Sequence, residues 1–266
     1  MRAVLGIDAA WTATQPSGVA VAVETSTGWK LVAAESSYQR FIARSRANME
    51  PELRPSGSIP CADDLLKAAR AMSGVEVSLI AVDMPLSRTP ITCRRASDDA
   101  VSRAYGGRKC GTHSPSTARP GPLSDRLRES FEAAGFPLHT AEVLGPGVIE
   151  VYPHPALVEL AGASERLPYK AAKSRAYWPK LSPPERRSRL HLEWSRIIGL
   201  LENEVQGVSS AFDGFERRIS GYEMKATEDA LDAVVCAWVA IRALEGRAIP
   251  YGDADSAIWI PSQKID

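Results

Sequence analysis

Val4-Leu5-Gly6-Ile7-Asp8-Ala9-Ala10-Trp11 decides the fold, because it combines a buried-strand pattern with a charge inside it. Its apolar start is typical of a central strand, and Asp8 stands where the pattern predicts another apolar side chain. Leu79-Ile80-Ala81-Val82-Asp83-Met84-Pro85 repeats the arrangement and stops at a proline that cannot donate to a sheet. Asp232 lies within a late apolar helix. Burying three carboxylates is costly unless they share a compensating partner, so we expect them to meet in one site.

Length and composition are those of an ordinary globular protein and allow one large domain or two small ones. The chain has 266 residues, of which 44% are apolar and 24% charged. No apolar run reaches the roughly 20 residues of a membrane helix, and a strand begins almost at once, so neither a membrane span nor a signal peptide is expected. The cysteines lack metal-binding spacing, which favours reduced thiols in a cytoplasmic protein. They are Cys61, Cys93, Cys110 and Cys236.

The order of predicted elements indicates a mixed sheet. Three strands joined by turns predict an antiparallel meander, and a strand that follows through a helix should be parallel to the first. The predicted strands cover residues 2–10, 19–24, 29–34, 77–83 and 148–152, with a further edge strand at 257–260. The main predicted helices cover residues 60–72, 96–105, 124–134, 155–162, 182–205 and 227–244, the last with Thr227 as its cap. We therefore predict a five-stranded mixed sheet with helices on both faces.

The same pattern predicts a single domain over residues 1–266. A basic loop and helix insertion is expected at about 86–146, and a helical elaboration at about 155–225.

Basic residues are concentrated in two segments, although the net charge is zero. Residues 88–128 carry nine Arg or Lys against three acids, and residues 166–189 carry eight against one. Such segments favour contact with phosphates, and ordinary solvated loops are the alternative. The phosphate-binding candidates are Arg95, Arg108, Lys109 and Lys170, with His113 as a further candidate in the glycine-rich loop.

The carboxylates predict a metal site. Neighbouring parallel strands lie about 4.8 Å apart, so Asp8 and Asp83 at two strand ends would reach one cation. Carboxylates that close repel one another unless a proton or a metal lies between them. Oxygen ligands without nearby His or Cys favour Mg²⁺ or Mn²⁺ over zinc, so we predict that Asp8, Asp83 and Asp232 bind one of these ions.

Three further residues are open to two interpretations each. Asp229 shares a helix face with Asp232 and is a candidate catalytic residue, but the dipole of a helix capped at Thr227 explains its charge equally well. Glu150 interrupts an apolar strand and is a second catalytic candidate, and pairing with a nearby arginine is the alternative. His154 lies near a helix start, where a lone histidine is more often structural than catalytic.

Four stretches, in this order and spacing, resemble an uncharacterised family known as domain of unknown function 429. They are Gly6-Ile7-Asp8-Ala9-Ala10-Trp11, Val82-Asp83-Met84-Pro85-Leu86, Glu150-Val151-Tyr152-Pro153 and Asp229-Ala230-Leu231-Asp232-Ala233, and Arg94-Arg95 with the following glycine-rich loop also fits. The family is described as predicted nucleases of the ribonuclease H-like fold, and the resemblance implies that fold here. The late helix is also similar to that of bacterial Holliday-junction resolvases, which implies Asp232 as a metal ligand and Asp229 as its helper.

The expected function is metal-dependent hydrolysis of phosphodiester bonds in nucleic acid, either DNA or RNA. One alternative is a non-catalytic nucleic-acid-binding module, which would keep the basic segments without convergent acids. Another is a phosphotransferase of the actin and sugar-kinase type, for which this chain is short. The sequence contains no P-loop or dinucleotide-binding fingerprint, and it is compatible with a homodimer.

Overall fold

One mixed sheet lies at the centre of the fold. The computed structural model describes residues 1–46 and 54–262. Its strands are β1 (Ala3–Asp8), β2 (Gly18–Thr25), β3 (Gly28–Glu35), β4 (Val77–Val82), β5 (Gly147–Val151), β6 (Val205–Gln206), β7 (Ala248–Gly252) and β8 (Ala257–Pro261). Their order in the sheet is β6-β3-β2-β1-β4-β5-β8-β7.

The prediction of a five-stranded ribonuclease H-like sheet is wrong, because the described residues form an eight-stranded sheet. The α/β class is correct, and β1 lies between antiparallel β2 and parallel β4 as expected. Strand β6 has only two residues, too few to show an alternating pattern. Strand β8 pairs in parallel with β5 on one side and with β7 on the other. It is therefore an inner strand and not the edge strand that the sequence predicted. Strand β7 was missed because Pro250 and Gly252 are unfavourable for a strand.

Helices pack on both faces of the sheet. Within the described residues they are α1 (Tyr38–Arg44), α2 (Ala62–Ser73), α3 (Ala96–Tyr105), α4 (Pro122–Ala133), α5 (Pro153–Ala161), α6 (Ser174–Tyr177), α7 (Pro183–Glu204), α8 (Val208–Ala211) and α9 (Gly221–Leu244). Helices α5, α7 and α9 share one apolar core with the sheet, and α1, α2 and α4 share the other. Side chains of a strand alternate between faces, so Val4 of β1 joins the first core and Leu5 joins the second. No helix among the described residues is long and apolar enough to cross a membrane.

Helix α9 is almost wholly buried and contacts most of the sheet. It begins about two turns earlier than predicted, because Ser220 and Glu223 form a capping box and Thr227 does not cap it. From Thr227 onward the helix is buried on all sides, as expected for a helix enclosed by other elements. Asp229 and Asp232 therefore lie in the helix interior, where the positive end of the helix dipole no longer explains their charge.

Two glycines allow α9 to lie directly against the sheet. A Cβ atom on Gly6 would lie 2.2 Å from the carbonyl oxygen of Ala233 and 2.3 Å from the backbone nitrogen of Ala237. A Cβ atom on Gly18 would lie 2.0 Å from the carbonyl oxygen of Asp229. Only glycine permits this backbone approach, which brings the acidic turn of α9 beside the end of β1.

Candidate active site

Asp8 and Asp83 lie side by side where two parallel strands end. Ile7 pairs with Val82 in the ladder, and the Asp83 N–H donates to the Ile7 carbonyl oxygen at 2.8 Å. The residues that follow this pair are thus on adjacent strands, about 4.8 Å apart. Ile7 and Val82 face the core that contains α2, so alternation turns Asp8 and Asp83 toward the face that α9 covers.

Helix α9 supplies Asp232, whose side chain is fully buried. The Tyr169 hydroxyl donates to its Oδ1 at 2.8 Å, and the Lys170 ammonium group donates to its Oδ2. The sequence predicted Lys170 as a phosphate contact, but in this structure its charge faces Asp232, with Glu228 Oε1 at 3.4 Å. Both oxygens of Asp232 are therefore engaged by protein groups.

A second lysine compensates the other acids of α9. Lys225 donates to Asp229 Oδ1 and to Glu228 Oε1, the latter at 3.1 Å. The Ala171 N–H donates to Glu228 Oε2 at 2.6 Å, which leaves Glu228 well satisfied. Asp229 Oδ2 is buried and has no hydrogen-bond partner among the described residues. Asp229 thus offers one free oxygen to the site.

Three of the acidic side chains have raised pKa values. Burial, and then the Asp8 carboxylate, raise the pKa of Asp83 and of Asp229 well above the ordinary value. Burial raises the pKa of Asp232 to about 6, where the Lys170 ammonium opposes the rise and the Asp8 carboxylate adds to it. Burial would also raise the pKa of Glu228, but Lys170 and Lys225 outweigh it and hold this pKa low. The effect of Asp8 on three carboxyls shows that β1, β4 and α9 bring them together.

These residues leave carboxyl oxygens without protein partners. Among the described residues, no three acidic, histidine or cysteine side chains are arranged as ligands of one metal ion. Asp8 and Asp83 nevertheless accept no side-chain hydrogen bond from the described chain, and Asp229 Oδ2 is unpartnered. The carboxyl groups therefore outnumber the two lysines, Lys170 and Lys225, that are paired with them. Hard divalent cations such as Mg²⁺ or Mn²⁺ prefer oxygen ligands of this kind, but the described residues do not form the ligand geometry, so the metal site stays a prediction.

Glu150 forms a buried ion-pair network with Arg95 and Asp98. The Arg95 guanidinium donates to Glu150 Oε2 at 2.5 Å and Oε1 at 2.7 Å, and to Asp98 Oδ1 at 2.9 Å. The Leu86 N–H also donates to Glu150 Oε2 at 2.7 Å. Burial raises the pKa of Glu150 to about 7 against the opposing charge of Arg95. Of the two interpretations of Glu150, pairing with an arginine is the one observed, and this pairing also occupies Arg95.

The other two predicted phosphate-binding residues lie away from the convergent carboxyl groups of β1, β4 and α9. Arg108 donates to Glu159 Oε1 and to the Ala163 carbonyl oxygen, both at 2.6 Å. Lys109 is exposed and forms a surface ion pair with Glu165 at 2.6 Å. Neither Arg108 nor Lys109 lines the cavities beside the carboxylates.

Two cavities meet at the acidic residues. The first, of about 310 Å³, lies beside α5 and α9, and the second, of about 430 Å³, is lined by Asp8, Asp83 and Arg119. Asp83, Trp11 and His113 line both cavities. A substrate that occupies both would therefore pass over Asp83 and beside Asp8, whereas Asp229 and Asp232 line neither cavity.

Several residues of the site were missed from the sequence. Tyr169 and Lys225 are single polar residues with no motif around them, so only the fold shows that they bind Asp232 and Asp229. Arg166 and Lys173 line the first cavity and lie in the basic segment 166–189, but the charge count did not distinguish them from its solvated members. His154, which the sequence left open as structural or catalytic, lies in the first turn of α5 and is buried in the same cavity.

Comparison with known proteins gives one match. A family model described as "Protein of unknown function (DUF429)" matches residues 6–256. No curated protein and no solved structure matches the chain.

Proposed function

This chain belongs to the DUF429 family, whose function is unknown, and we propose that it is a nuclease that hydrolyses phosphodiester bonds with Mg²⁺ or Mn²⁺. The observation that carries the proposal is the convergence of Asp8, Asp83, Asp229 and Asp232 from three elements. The raised pKa values of Asp83, Asp229 and Asp232 indicate carboxyl groups that the protein's own cations do not fully compensate. Asp83 also lines both cavities, and a perturbed carboxyl group in a cavity is typical of a functional site.

The available oxygens assign the ligand roles. Asp8 and Asp83 would hold the cation, and Asp229 would add its free Oδ2. Asp232 would join them only by exchanging its bond to Lys170, so its first role is to hold that ammonium group in place. When bound, the ion supplies Lewis-acid activation of water and neutralises charge on the phosphate.

The remaining side chains bind and orient the substrate. Lys170 lines the first cavity and can turn its positive charge to a phosphate oxygen while it stays near Asp232 and Glu228. Asp232 is fully buried and bound by Tyr169 and Lys170, so it would act as a positioning residue that orients the Lys170 ammonium group. Tyr169 fixes the orientation of Asp232 through its hydroxyl group.

Nucleic acid is the proposed partner and the cytoplasm the proposed location. The two basic segments and the cavities beside the acids support the first proposal. All four cysteines are free thiols, which supports the second because disulfides are rare in the cytoplasm.

The test is a cleavage assay on single-stranded, double-stranded and branched DNA and on RNA, with Mg²⁺, Mn²⁺ or chelator. We expect metal-dependent cleavage of at least one substrate, and a loss of about 100-fold or more in Asp8→Asn. Asp213→Asn is the matched control, since it removes the same charge from an exposed position. Calorimetric titration with Mn²⁺ should show binding to the wild type and to Asp213→Asn but not to Asp8→Asn. Cleavage that persists in Asp8→Asn, or wild-type protein that neither binds Mn²⁺ nor cleaves, would contradict the proposal.

A further inference from the structure

We call Asp8, Asp83, Asp229 and Asp232 the acidic cluster. The cavity of about 310 Å³ contains cationic side chains that are not paired with this cluster. Lys170 and Lys225 are paired with carboxylates of α9. Arg166 and Lys173 line the same cavity, and neither forms an ion pair with any described residue. Two uncompensated cations in one cavity indicate a place for an anion.

Buried polar atoms point to the same place. Arg166 Nε is buried and has no hydrogen-bond partner among the described residues. His154 is only 6% exposed, lines the cavity, and leaves its Nδ1 similarly unpartnered. Its ring is held edge-on between Tyr152 and Tyr169, with 5.4 Å between ring centroids in both cases. Buried polar atoms are normally hydrogen-bonded, so these two groups are prepared for a ligand.

The cations also repel one another. The Arg166 guanidinium is the largest cause of the lowered pKa of Lys173, and burial and Lys170 add to the effect. Burial, followed by the charges of Lys170, Arg166 and Lys173, holds the pKa of His154 well below its usual value. An anion between these groups would relieve the repulsion and accept hydrogen bonds from them.

The volume of the cavity limits the size of the molecule that bears the anionic group. A cavity of about 310 Å³ lies at the lower end of the range for small-molecule sites, so it accommodates about one nucleotide and not a duplex. Trp11 and Asp83 form its boundary with the second cavity. A strand lying across this boundary would place its last nucleotide in the first cavity and the neighbouring phosphodiester at the carboxylates. Trp11 offers an aromatic face on which a base could stack.

We propose that Arg166, Lys173 and His154 form a subsite for the terminal phosphate of a nucleic-acid strand, one nucleotide from the bond that is cut. The position of the cut rests on the proposed nuclease function, whereas the binding of a phosphate group does not. The subsite selects strand ends, so the enzyme removes nucleotides from a phosphorylated end and does not cut internally.

The test measures binding in chelator, where hydrolysis cannot occur. The probes are inorganic phosphate and three dinucleotides: 5′-phosphorylated, 3′-phosphorylated and unphosphorylated. We expect one phosphorylated dinucleotide to bind at least about tenfold more tightly than the unphosphorylated one, since charge-assisted hydrogen bonds are the strong ones. The preferred isomer identifies which strand end is bound. Arg166→Gln and Lys173→Gln should each remove most of this preference, whereas Lys180→Gln, an exposed cation of the same basic segment that does not line the cavity, should retain it.

Equal binding of the three dinucleotides by the wild type would overturn the subsite, as would binding of inorganic phosphate alone. Lys173 is exposed, so Lys173→Gln should fold even if Arg166→Gln does not. Phosphate-selective binding together with absent cleavage would refute the nuclease and leave the subsite standing. Suppose that Lys173→Gln and a folded Arg166→Gln cleave with metal and remain as selective for phosphorylated ends as the wild type. That result would refute the subsite and leave the nuclease function standing.

Discussion

The Asp8 carboxylate raises the pKa of Asp83, Asp229 and Asp232, so its charge acts against the stability of the metal-free fold. Asp8→Asn removes that repulsion and keeps the side-chain shape. We expect the metal-free variant to be more stable than the wild type by about 1 kcal/mol, a rise in Tm of about 2–4 °C. Thermal unfolding in chelator measures this, with Asp213→Asn as the control that should change Tm by less than about 1 °C. A clear fall in the Tm of Asp8→Asn would assign Asp8 a structural role.

The same cluster makes stability depend on pH. The pKa of Asp232 is about 6 in the fold and about 3.9 in an unfolded chain, so the folded state binds more protons between these values. The contribution to the free energy of unfolding is therefore greatest below about pH 4 and is lost as the pH rises through about 6. A shift of about two units corresponds to at most about 3 kcal/mol. We expect the stability gain of Asp8→Asn over the metal-free wild type to be larger at pH 7.5 than at pH 5, measured by urea unfolding at both values. A difference that does not vary with pH would contradict the coupling.

Among individual residues, the sequence predicted the acidic side chains of the site but not the side chains that bind them. Asp8, Asp83 and Asp232 are conspicuous because a charge inside an apolar run is rare, and the structure brings them together. Lys225 and Tyr169 lie in stretches where a polar residue is ordinary, so only tertiary contacts distinguish them.

Among the elements, α9 depends on glycine in the strands beneath it. Gly6→Ala would place a methyl group about 2.2 Å from the backbone of Ala233, which is too close for any rotamer change to relieve. We expect a loss of about 3 kcal/mol, a fall in Tm of about 6–12 °C, and weaker Mn²⁺ binding, because α9 must move away from β1. Gly199→Ala is the matched control, because Gly199 lies in α7 with open space around it and alanine favours a helix there. Equal Tm values for the two variants would show that the close approach does not constrain α9.

The Arg95–Glu150–Asp98 network joins β5 to the start of α3, and we expect its role to be structural. Glu150→Gln leaves the Arg95 charge only partly compensated in a buried position, which should lower the free energy of unfolding by about 3 kcal/mol. Glu165→Gln breaks an exposed pair with Lys109 and should cost less than about 1 kcal/mol. Chemical unfolding of both variants measures the difference. A Glu150→Gln protein of wild-type stability that has lost only its kcat would instead identify Glu150 as catalytic.

Long apolar elements were predicted from the sequence, and short or interrupted ones were not. Strand β4 and helix α7 lie close to their predicted positions, because period and capping signals agree there. Strands β6 and β7 carry no such signals. Because β7 was not predicted, β8 was placed at the edge of the sheet, although β7 pairs with it there. Helix α9 began early because the capping box at Ser220 precedes its apolar part.

For the molecule as a whole, metal binding should appear as global stabilisation. A cation that binds only the folded state adds about 2.7 kcal/mol at a concentration 100 times its Kd. We expect Mn²⁺ or Mg²⁺ to raise the Tm of the wild type, and chelator to reverse the rise, because the ion neutralises the repulsion among Asp8, Asp83 and Asp229. Asp8→Asn should show little or no rise under the same conditions. Equal shifts in both proteins would place the bound ion elsewhere.

The position of α9 in the chain also affects how the protein is made. Strands β1 and β2 emerge from the ribosome first, but the helix that covers one of their apolar faces ends only at Leu244. Translation proceeds at about 5–20 residues per second, so that face stays exposed for roughly ten to forty seconds before α9 is complete. During this interval Asp8 has no partner from α9, so the nascent chain cannot assemble the acidic cluster. The carboxyl groups of β1, β4 and α9 therefore come together only after most of the chain has been synthesised.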